Sequence, residues 1–297
     1  MMERHALMRL KGHPNIVSLI HTWSDLENCF IATEYCPNGE LWESCRRCGE
    51  PEIRAKFFFT QIIQGLSYMH RMGIVHRDLK AENILISKDS VVKICDFGSS
   101  RDLFNPTMPC TSNADRRRIS FQHYVGTPNF IAPEALENIE NDELSDIWSL
   151  GCLFYQVLLG IPPFVAGSEY LVYLRMRAED LMFPSTGLSE EAINLVQSIV
   201  VHDREKRPSL GSIRTHRFFS NTPEHLVDLT SEEETIKRIA RDQSELDECV
   251  FTNNEYALGR LRMVGTVREW ERLSLPGTGT EILDHLNLPP NLLGRTE

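Results

Sequence analysis

Two short segments of the chain carry side chains whose types and spacing suit phosphoryl transfer. The first segment, VHRDLKAENIL, contains Asp78, Lys80 and Asn83, and the second, ICDFGSS, contains Asp96. An in-line transfer needs a group that orients the attacking hydroxyl, cations that bridge phosphate oxygens, and positive charge beside the transferred group. The two segments supply the carboxylates, the amide oxygen and the ammonium group for such a site.

Each of these four residues has a predicted role. Asp78 is expected to accept the proton of the attacking hydroxyl, and Lys80, two residues later, is expected to reach the transferred phosphate. Asn83 and Asp96 are the predicted metal ligands, because Mg²⁺ prefers hard oxygen donors such as amide and carboxylate oxygens. The sequence therefore predicts a phosphoryl-transfer site that binds Mg²⁺.

The residues around Asp96 are expected to set its direction. Short apolar runs predict strands beside both segments, ILI after the first and VVKI before the second. Phe97 is expected to insert into the core and so fix the direction of the preceding carboxylate. Gly98 is expected to let the chain turn sharply, because it lacks a Cβ.

The remaining elements follow from apolar periodicity and from breaker residues. The opening MMERHALMRL has helical spacing and is ended by KGHPN. IVSLIHTW and CFIATEY predict two strands, and helical periodicity begins at Leu41. The run DIWSLGCLFYQVLLG is almost continuously apolar, which indicates a buried helix. Predicted helices cover residues 54–73, 146–160, 189–201 and 210–215.

Composition limits the classes of function. The chain has 297 residues, of which 41% are hydrophobic and 25% charged, typical of a globular protein. A net charge of -11 argues against a partner that is a nucleic acid. No apolar run reaches the length of a membrane span, the N-terminus is not a secretory signal, and the eight cysteines are scattered. We therefore expect a reduced, cytoplasmic protein.

Taken together, the motifs resemble those of the eukaryotic protein kinases, and in particular the AGC group. After HRDLKxxN and DFG come GTPNFIAPE, SDIWSLGC and HDREKRPS in the family's order, and NGEL and GIPPFVAGSEYLVYLRM narrow the match to AGC kinases. The resemblance covers roughly residues 3–220. It implies an α+β, two-lobe fold with a truncated N-terminal lobe (residues 1–34, helix αC and two strands) and a mostly helical C-terminal lobe (residues 37–220).

The resemblance also implies an activity. Lys80 after HRDL implies transfer of the ATP γ-phosphate to Ser or Thr of protein substrates. The AGC branch that matches acts on the activation loops of other AGC kinases, which are therefore the expected partners. Residues 221–297 are expected to form a charged helical tail of unknown role, without the strand pattern of a lipid-binding pleckstrin-homology domain.

Further site residues are carried over by the resemblance alone. The hinge would consist of Glu34, Tyr35 and Cys36, and its backbone would bind adenine. Glu40 would lie near the ribose, Glu82 near the nucleotide and Leu85 under the base. Structural roles fall to His76 beneath Phe97, to Asp146 as the brace of the HRD backbone, and to the pair Glu134 and Arg207. Thr127 belongs to the GTP motif, with a structural or regulatory role.

The loop before that motif carries a candidate phosphorylation site. RRRIS places three arginines two to four residues before Ser120. A phosphate on Ser120 is expected to pair with Arg77 and to order the loop. The alternative is a solvated basic loop with no modification.

A working kinase also needs a Gly-rich loop and a strand lysine that pairs with a glutamate of helix αC. The resemblance makes Glu3 that glutamate, so both elements would precede it, and only two residues do. Three alternatives remain open: a fragment of an active kinase, a truncated pseudokinase that acts as a scaffold for kinase partners, or an enzyme active as written.

Overall fold

The long helix predicted in the first half of the chain forms over Glu52–Arg71 in the computed structural model, which describes residues 2–105, 129–136, 142–183 and 187–222. Eight α-helices lie in these ranges: α1 Met2–Arg9, α2 Leu41–Cys45, α3 Glu52–Arg71, α4 Pro133–Leu136, α5 Glu143–Leu159, α6 Glu169–Arg177, α7 Glu190–Ile199 and α8 Leu210–Arg214. The predicted tail lies outside the described residues from position 223 onward.

Six short strands pair into three antiparallel two-stranded sheets in the described part of the chain. The strands are β1 Leu19–Ser24, β2 Cys29–Thr33, β3 Ile74–Val75, β4 Ile84–Ile86, β5 Val92–Ile94 and β6 Arg101–Asp102. β1 pairs with β2, β3 with β6, and β4 with β5. Helices dominate after β2, so the expected α+β class, with a mostly helical second part, is confirmed.

The sheet topology brings the two motifs together. The HRDLKxxN segment runs from β3 to β4, and the DFG segment runs from β5 to β6. Because β3 pairs with β6 and β4 pairs with β5, the loops between these strands must lie side by side. This arrangement explains how residues 78 and 96 reach one site.

The core is built on α5, which is buried on all sides between Ser145 and Leu158. Asp142 caps its N-terminus by accepting a hydrogen bond from Leu144 N, and Gly160 ends it in the left-handed conformation, at φ 70°. Phe154 packs against Phe59 of α3, with ring centroids 4.0 Å apart. A helix with no polar face must be enclosed, as its nearly unbroken apolar sequence predicts.

The first part of the chain is tied to the second through the residues that follow α1. Helix α1 buries Met2, Ala6 and Leu7. The segment after it pairs with β5, because Ile94 N donates to Asn15 O at 3.0 Å and Val17 N donates to Ile94 O at 3.0 Å. This pairing places α1 close to the end of β5, where Asp96 follows. In the described ranges no helix has the length and apolar character needed to cross a bilayer.

Candidate phosphoryl-transfer site

The Asp78 carboxylate is held from two sides. Lys80 Nζ lies 2.8 Å from Asp78 Oδ2, and Asn83 Nδ2 donates to Asp78 O at 2.7 Å and to Asp78 Oδ2 at 3.1 Å. Because both of these acceptors are oxygens, the amide nitrogen of Asn83 faces Asp78 and its Oδ1 points the other way. Asn83 Oδ1 has no hydrogen-bond partner within the described ranges, so it is free to bind a cation.

Asp146 of α5 braces the backbone before Asp78. Its two carboxylate oxygens accept hydrogen bonds from His76 N and from Arg77 N, both at 2.8 Å, and His70 Nε2 lies 2.9 Å away. Arg77 adopts the left-handed conformation, at φ 70°, which costs a non-glycine residue energy. Burial would raise the pKa of Asp146, but the His70 contact and the surrounding amides and charges hold that pKa below its ordinary value.

We expect Asp146→Ala to lower the free energy of unfolding by about 3 kcal/mol, because it leaves two buried backbone donors unpaired beside a strained residue. Urea unfolding measures this change. The matched control is Glu143→Ala, which removes an exposed carboxylate from the first turn of the same helix. A loss no larger than that of the control would contradict the bracing role.

His76 links the two motifs. Its Nε2 lies 2.9 Å from Cys95 O, and Asp78 N donates to its Nδ1 at 3.3 Å. Since a carbonyl oxygen only accepts, the ring proton lies on Nε2 and Nδ1 is the acceptor. The ring of Phe97, which is fully buried, lies 5.4 Å from the His76 ring. The structure therefore brings His76 against Phe97, where the resemblance had put it.

Asp96 is exposed, and it is the residue of the second motif whose backbone adopts the left-handed conformation. Its φ is 59°, in the left-handed region, and its Oδ1 accepts a hydrogen bond from Gly98 N at 3.2 Å. Gly98 lies in the turn that Ser100 N closes by donating to Phe97 O at 3.1 Å, and the left-handed residue before this turn is Asp96. Asp is among the residues that tolerate this conformation, since its short polar side chain bonds to nearby backbone.

Glu3 of α1 faces the same region. Burial, followed by the nearby charge of Asp96, raises the pKa of the Glu3 carboxyl. Glu3 makes no ion pair with any residue that the structure describes. The predicted αC glutamate is therefore brought to the site without a cation beside it in the described residues.

The predicted hinge leaves two backbone groups available for a ligand. Glu34 N donates to Ser18 O at 3.0 Å, and the Glu34 side chain accepts hydrogen bonds from Ser18 N and from Lys93 Nζ. Burial would raise the pKa of Glu34, but those two donors hold it below its ordinary value. Neither the Glu34 carbonyl nor the Cys36 amide has a backbone partner among the residues described.

The other predicted nucleotide residues lie beside this hinge. Glu40 forms an isolated β-bridge with Leu85, which is half-buried in β4. Tyr35 is 85% exposed, so its side chain faces solvent and only its backbone belongs to the hinge. Glu82 has one buried carboxylate oxygen, Oε2, with no hydrogen-bond partner in the described ranges.

Cys95 lies between the predicted hinge and the predicted metal ligand Asp96, and the sequence analysis did not single it out. Burial, followed by the charge of Asp96, raises the pKa of the Cys95 thiol to about 12, and Cys36, Glu40 and Glu3 add to the rise. The charges of these groups therefore act on one thiol. Its position directly before Asp96, at the end of an apolar strand, was the available signal.

Away from the HRD and DFG motifs, Glu134 and Arg207 form a buried pair. Arg207 donates two parallel hydrogen bonds, Nη1 to Glu134 Oε1 at 2.6 Å and Nη2 to Glu134 Oε2 at 2.8 Å. Ser145 Oγ donates to the same carboxylate at 2.9 Å, and the guanidinium lies 5.1 Å from the ring centroid of Trp148. The structure thus brings together the predicted pair. Ser120 and Thr127 lie outside the described residues.

Comparison with known proteins gives the family. The protein-family model described as "Protein kinase domain" matches residues 1–219 of the chain. The chain belongs to the protein kinase family. Among the relatives of this kinase domain, 3-phosphoinositide-dependent protein kinase 1 of Arabidopsis thaliana is 35% identical over 227 residues, 74% of the chain and 45% of the relative. The human protein of that name is 34% identical over 226 residues, which cover 74% of this chain and 39% of the human protein.

A further human relative, putative 3-phosphoinositide-dependent protein kinase 2, is 34% identical over 270 residues, 88% of this chain and 65% of the relative. The match to Serine/threonine-protein kinase PDK1 of Cryptococcus neoformans spans 72% of the kinase chain and 17% of the relative. This kinase domain therefore corresponds to less than two thirds of the length of these relatives. It is an AGC kinase domain similar to that of 3-phosphoinositide-dependent protein kinase 1.

Proposed function

We propose that this kinase domain transfers the γ-phosphate of ATP, with Mg²⁺, to Ser or Thr hydroxyls of proteins in the cytoplasm. The observation that carries the proposal is the Asp78 carboxylate, which Lys80 and Asn83 hold in a loop that Asp146 braces. Mg²⁺ bound with ATP would neutralise charge on the phosphates. Activation loops of other AGC kinases are the substrates we propose, because the relatives are kinases of that group.

The residues present fit a magnesium nucleotide. Asn83 Oδ1 and Asp96 Oδ2 are hard oxygens without a partner in the described residues. One or two such ligands suffice, because Mg²⁺ takes its other ligands from phosphates and water. The free Glu34 carbonyl and Cys36 amide offer the acceptor and donor that an adenine edge needs.

Asp78 and Lys80 would then have different roles in the transfer. Asp78 orients the substrate hydroxyl and accepts its proton, and Lys80 stands beside Asp78 with an ammonium group for the transferred phosphate. Asp78 is half-buried, so one side of its carboxylate stays open to a substrate. Transfer by positioning and charge needs no covalent intermediate on the protein.

The second candidate function is a scaffold that binds kinase partners without turnover. Glu3 favours it, since phosphate binding needs a cation at this position and Glu3 makes no ion pair in the described ranges. The retained acidic and amide ligands favour the enzyme instead. The two functions differ in turnover, which makes the test direct.

The experiment is phosphate transfer from radiolabelled ATP to an AGC activation-loop peptide, with and without Mg²⁺. The peptide with Ala at the acceptor position and the Asp78→Asn protein are the controls, the second because it excludes a contaminating kinase. Transfer that needs Mg²⁺, the acceptor residue and Asp78 supports the enzyme. No transfer by folded protein, with capture of an AGC kinase partner retained, overturns it and favours the scaffold.

A further inference from the structure

We propose that His5, Arg9 and Asp102 form a clamp that holds α1 on the start of the segment after the DFG motif, and that these three act as positioning residues for Glu3 and Asp96. The proposal rests on the magnesium-nucleotide site proposed above. It assigns a role to three residues that the motifs of the chain do not contain.

The centre of the clamp is the Asp102 carboxylate, whose side chain is fully buried. His5 Nε2 lies 2.8 Å from Asp102 Oδ2, and Arg9 Nη1 donates to the same oxygen at 2.6 Å. Burial would raise the pKa of Asp102, but the His5 contact, Arg9 and two backbone donors hold it below its ordinary value. The buried group is therefore a carboxylate with its charge matched by α1.

The second oxygen of Asp102 orders the backbone that follows. Asp102 Oδ1 accepts hydrogen bonds from Phe104 N at 2.9 Å and from Asn105 N at 3.1 Å. One carboxylate thus joins a helix on one side and a turn of the chain on the other. Together, the four contacts of Asp102 fix the position of the turn relative to α1.

Phe104 adds a second attachment for the same turn. The Arg9 guanidinium lies 5.0 Å from the centroid of the Phe104 ring. That ring packs on Gly73, where a Cβ would come within 2.7 Å of it, and Leu103 N donates to Gly73 O at 2.7 Å. The turn is therefore held between α1 and the residue that precedes β3.

The clamp affects the magnesium-nucleotide site as well as the stability of the fold, because it fixes the position of α1. His5 and Arg9 lie one turn apart on α1, so two contacts to one point fix both the rotation and the axial position of the helix. Glu3 lies on the same helix, two residues before His5. Asp102 lies six residues after Asp96 and pairs through its backbone with Ile74, just before the HRD motif. Loss of the clamp therefore lets Glu3 move relative to Asp96.

The test uses Asp102→Asn and the double variant His5→Gln, Arg9→Gln. The matched control is Asp25→Asn, because Asp25 Oδ1 also accepts from two following backbone amides, Glu27 N at 2.8 Å and Asn28 N at 2.6 Å, but Asp25 is exposed. Two readouts are needed. Hydrogen exchange of the α1 amides without nucleotide reports the clamp, and affinities for Mg-ADP and for adenosine report positioning.

We expect faster exchange of α1 in both clamp variants and no change in the control. We also expect affinity for Mg-ADP to fall about tenfold, which is the size of coupling that residues outside a site exert. Affinity for adenosine should stay unchanged, because the hinge alone binds the base. The double variant keeps the test valid if Asp102→Asn does not fold, since His5 and Arg9 are each only partly buried.

Unchanged exchange of α1 would overturn the clamp. Faster exchange with equal loss of both ligands, or with no loss of either, would overturn the positioning role and leave a structural contact. If the unmodified protein binds no Mg-ADP, the proposed function fails and the positioning role fails with it. The exchange readout, which needs no nucleotide, still separates that failure from a failure of the clamp.

Discussion

Replacing Asp96 with Asn is expected to abolish the part of nucleotide binding that depends on Mg²⁺. In the unmodified protein, Mg-ADP at 100 times its Kd should stabilise the fold by about 2.7 kcal/mol, which raises Tm by about 8 °C for a domain of this size. The variant loses the exposed carboxylate that would neutralise the metal. Asn also tolerates the backbone at φ 59°, so the fold should not change.

The Asp96 experiment compares Tm with ADP alone and with Mg-ADP. Its matched control is Asp203→Asn, since Asp203 Oδ1 also accepts from the backbone nitrogen two residues later, Glu205 N, at 3.2 Å. We expect the control to keep the full shift, because this exposed acid caps a distant turn. An Asp96→Asn protein that keeps its Mg²⁺-dependent shift would show that the metal site lies elsewhere.

Replacing Arg207 with Met is expected to lower the free energy of unfolding by about 3–5 kcal/mol, the cost of breaking a buried ion pair on one side. Arg207 is 5% exposed, and besides Glu134 it donates to the carbonyl oxygens of Leu144 and Val201. Removing it takes both guanidinium donors from the buried Glu134 carboxylate, which keeps Ser145 Oγ as a donor, and it also removes the hydrogen bonds to these two carbonyls. Tm should fall by roughly 10 °C.

A pH series tests the cause of that loss. Burial would raise the pKa of Glu134, but Arg207 holds it below the reference value of 4.5 in the folded protein. The pair therefore contributes stability above pH 4.5, and this contribution is lost as the pH falls through the folded pKa. The difference in stability between the unmodified protein and Arg207→Met should narrow below pH 4.5.

The control for Arg207 is Arg46→Met, which breaks the half-exposed pair of Arg46 Nε with Glu43 Oε2 at 2.9 Å. A surface pair of this kind contributes less than about 1 kcal/mol. If Arg207→Met costs no more than the control, the buried pair does not stabilise the fold in the way described.

Sequence patterns predicted the elements that depend on local signals. The run before Gly160 predicted a buried helix, and α5 ends at Leu159, although it begins three residues earlier than predicted, where Asp142 provides a cap that apolar periodicity does not show. The helix predicted from residue 54 begins at Glu52, directly after Pro51. In both cases the helical period was readable from the sequence but the first residue of the helix was not. Asp142 caps α5 through its side chain, whereas Pro51 precedes α3 without a side-chain cap.

Long-range pairing could not be predicted in the same way. The sequence analysis predicted neither the pairing of β6 with β3 nor the contacts of Asp102 with His5 and Arg9. These contacts join positions more than ninety residues apart. The motifs placed Asp78, Asn83 and Asp96, because family resemblance carries spatial information that spacing alone lacks.

The brace at Asp146 has a thermodynamic consequence for ligand binding. The loop that carries Asp78 is tied to α5, the most deeply buried helix described, so the entropy of ordering that loop is lost when the chain folds. A nucleotide would meet this half of the site already rigid, and its affinity would not be reduced by the cost of ordering it.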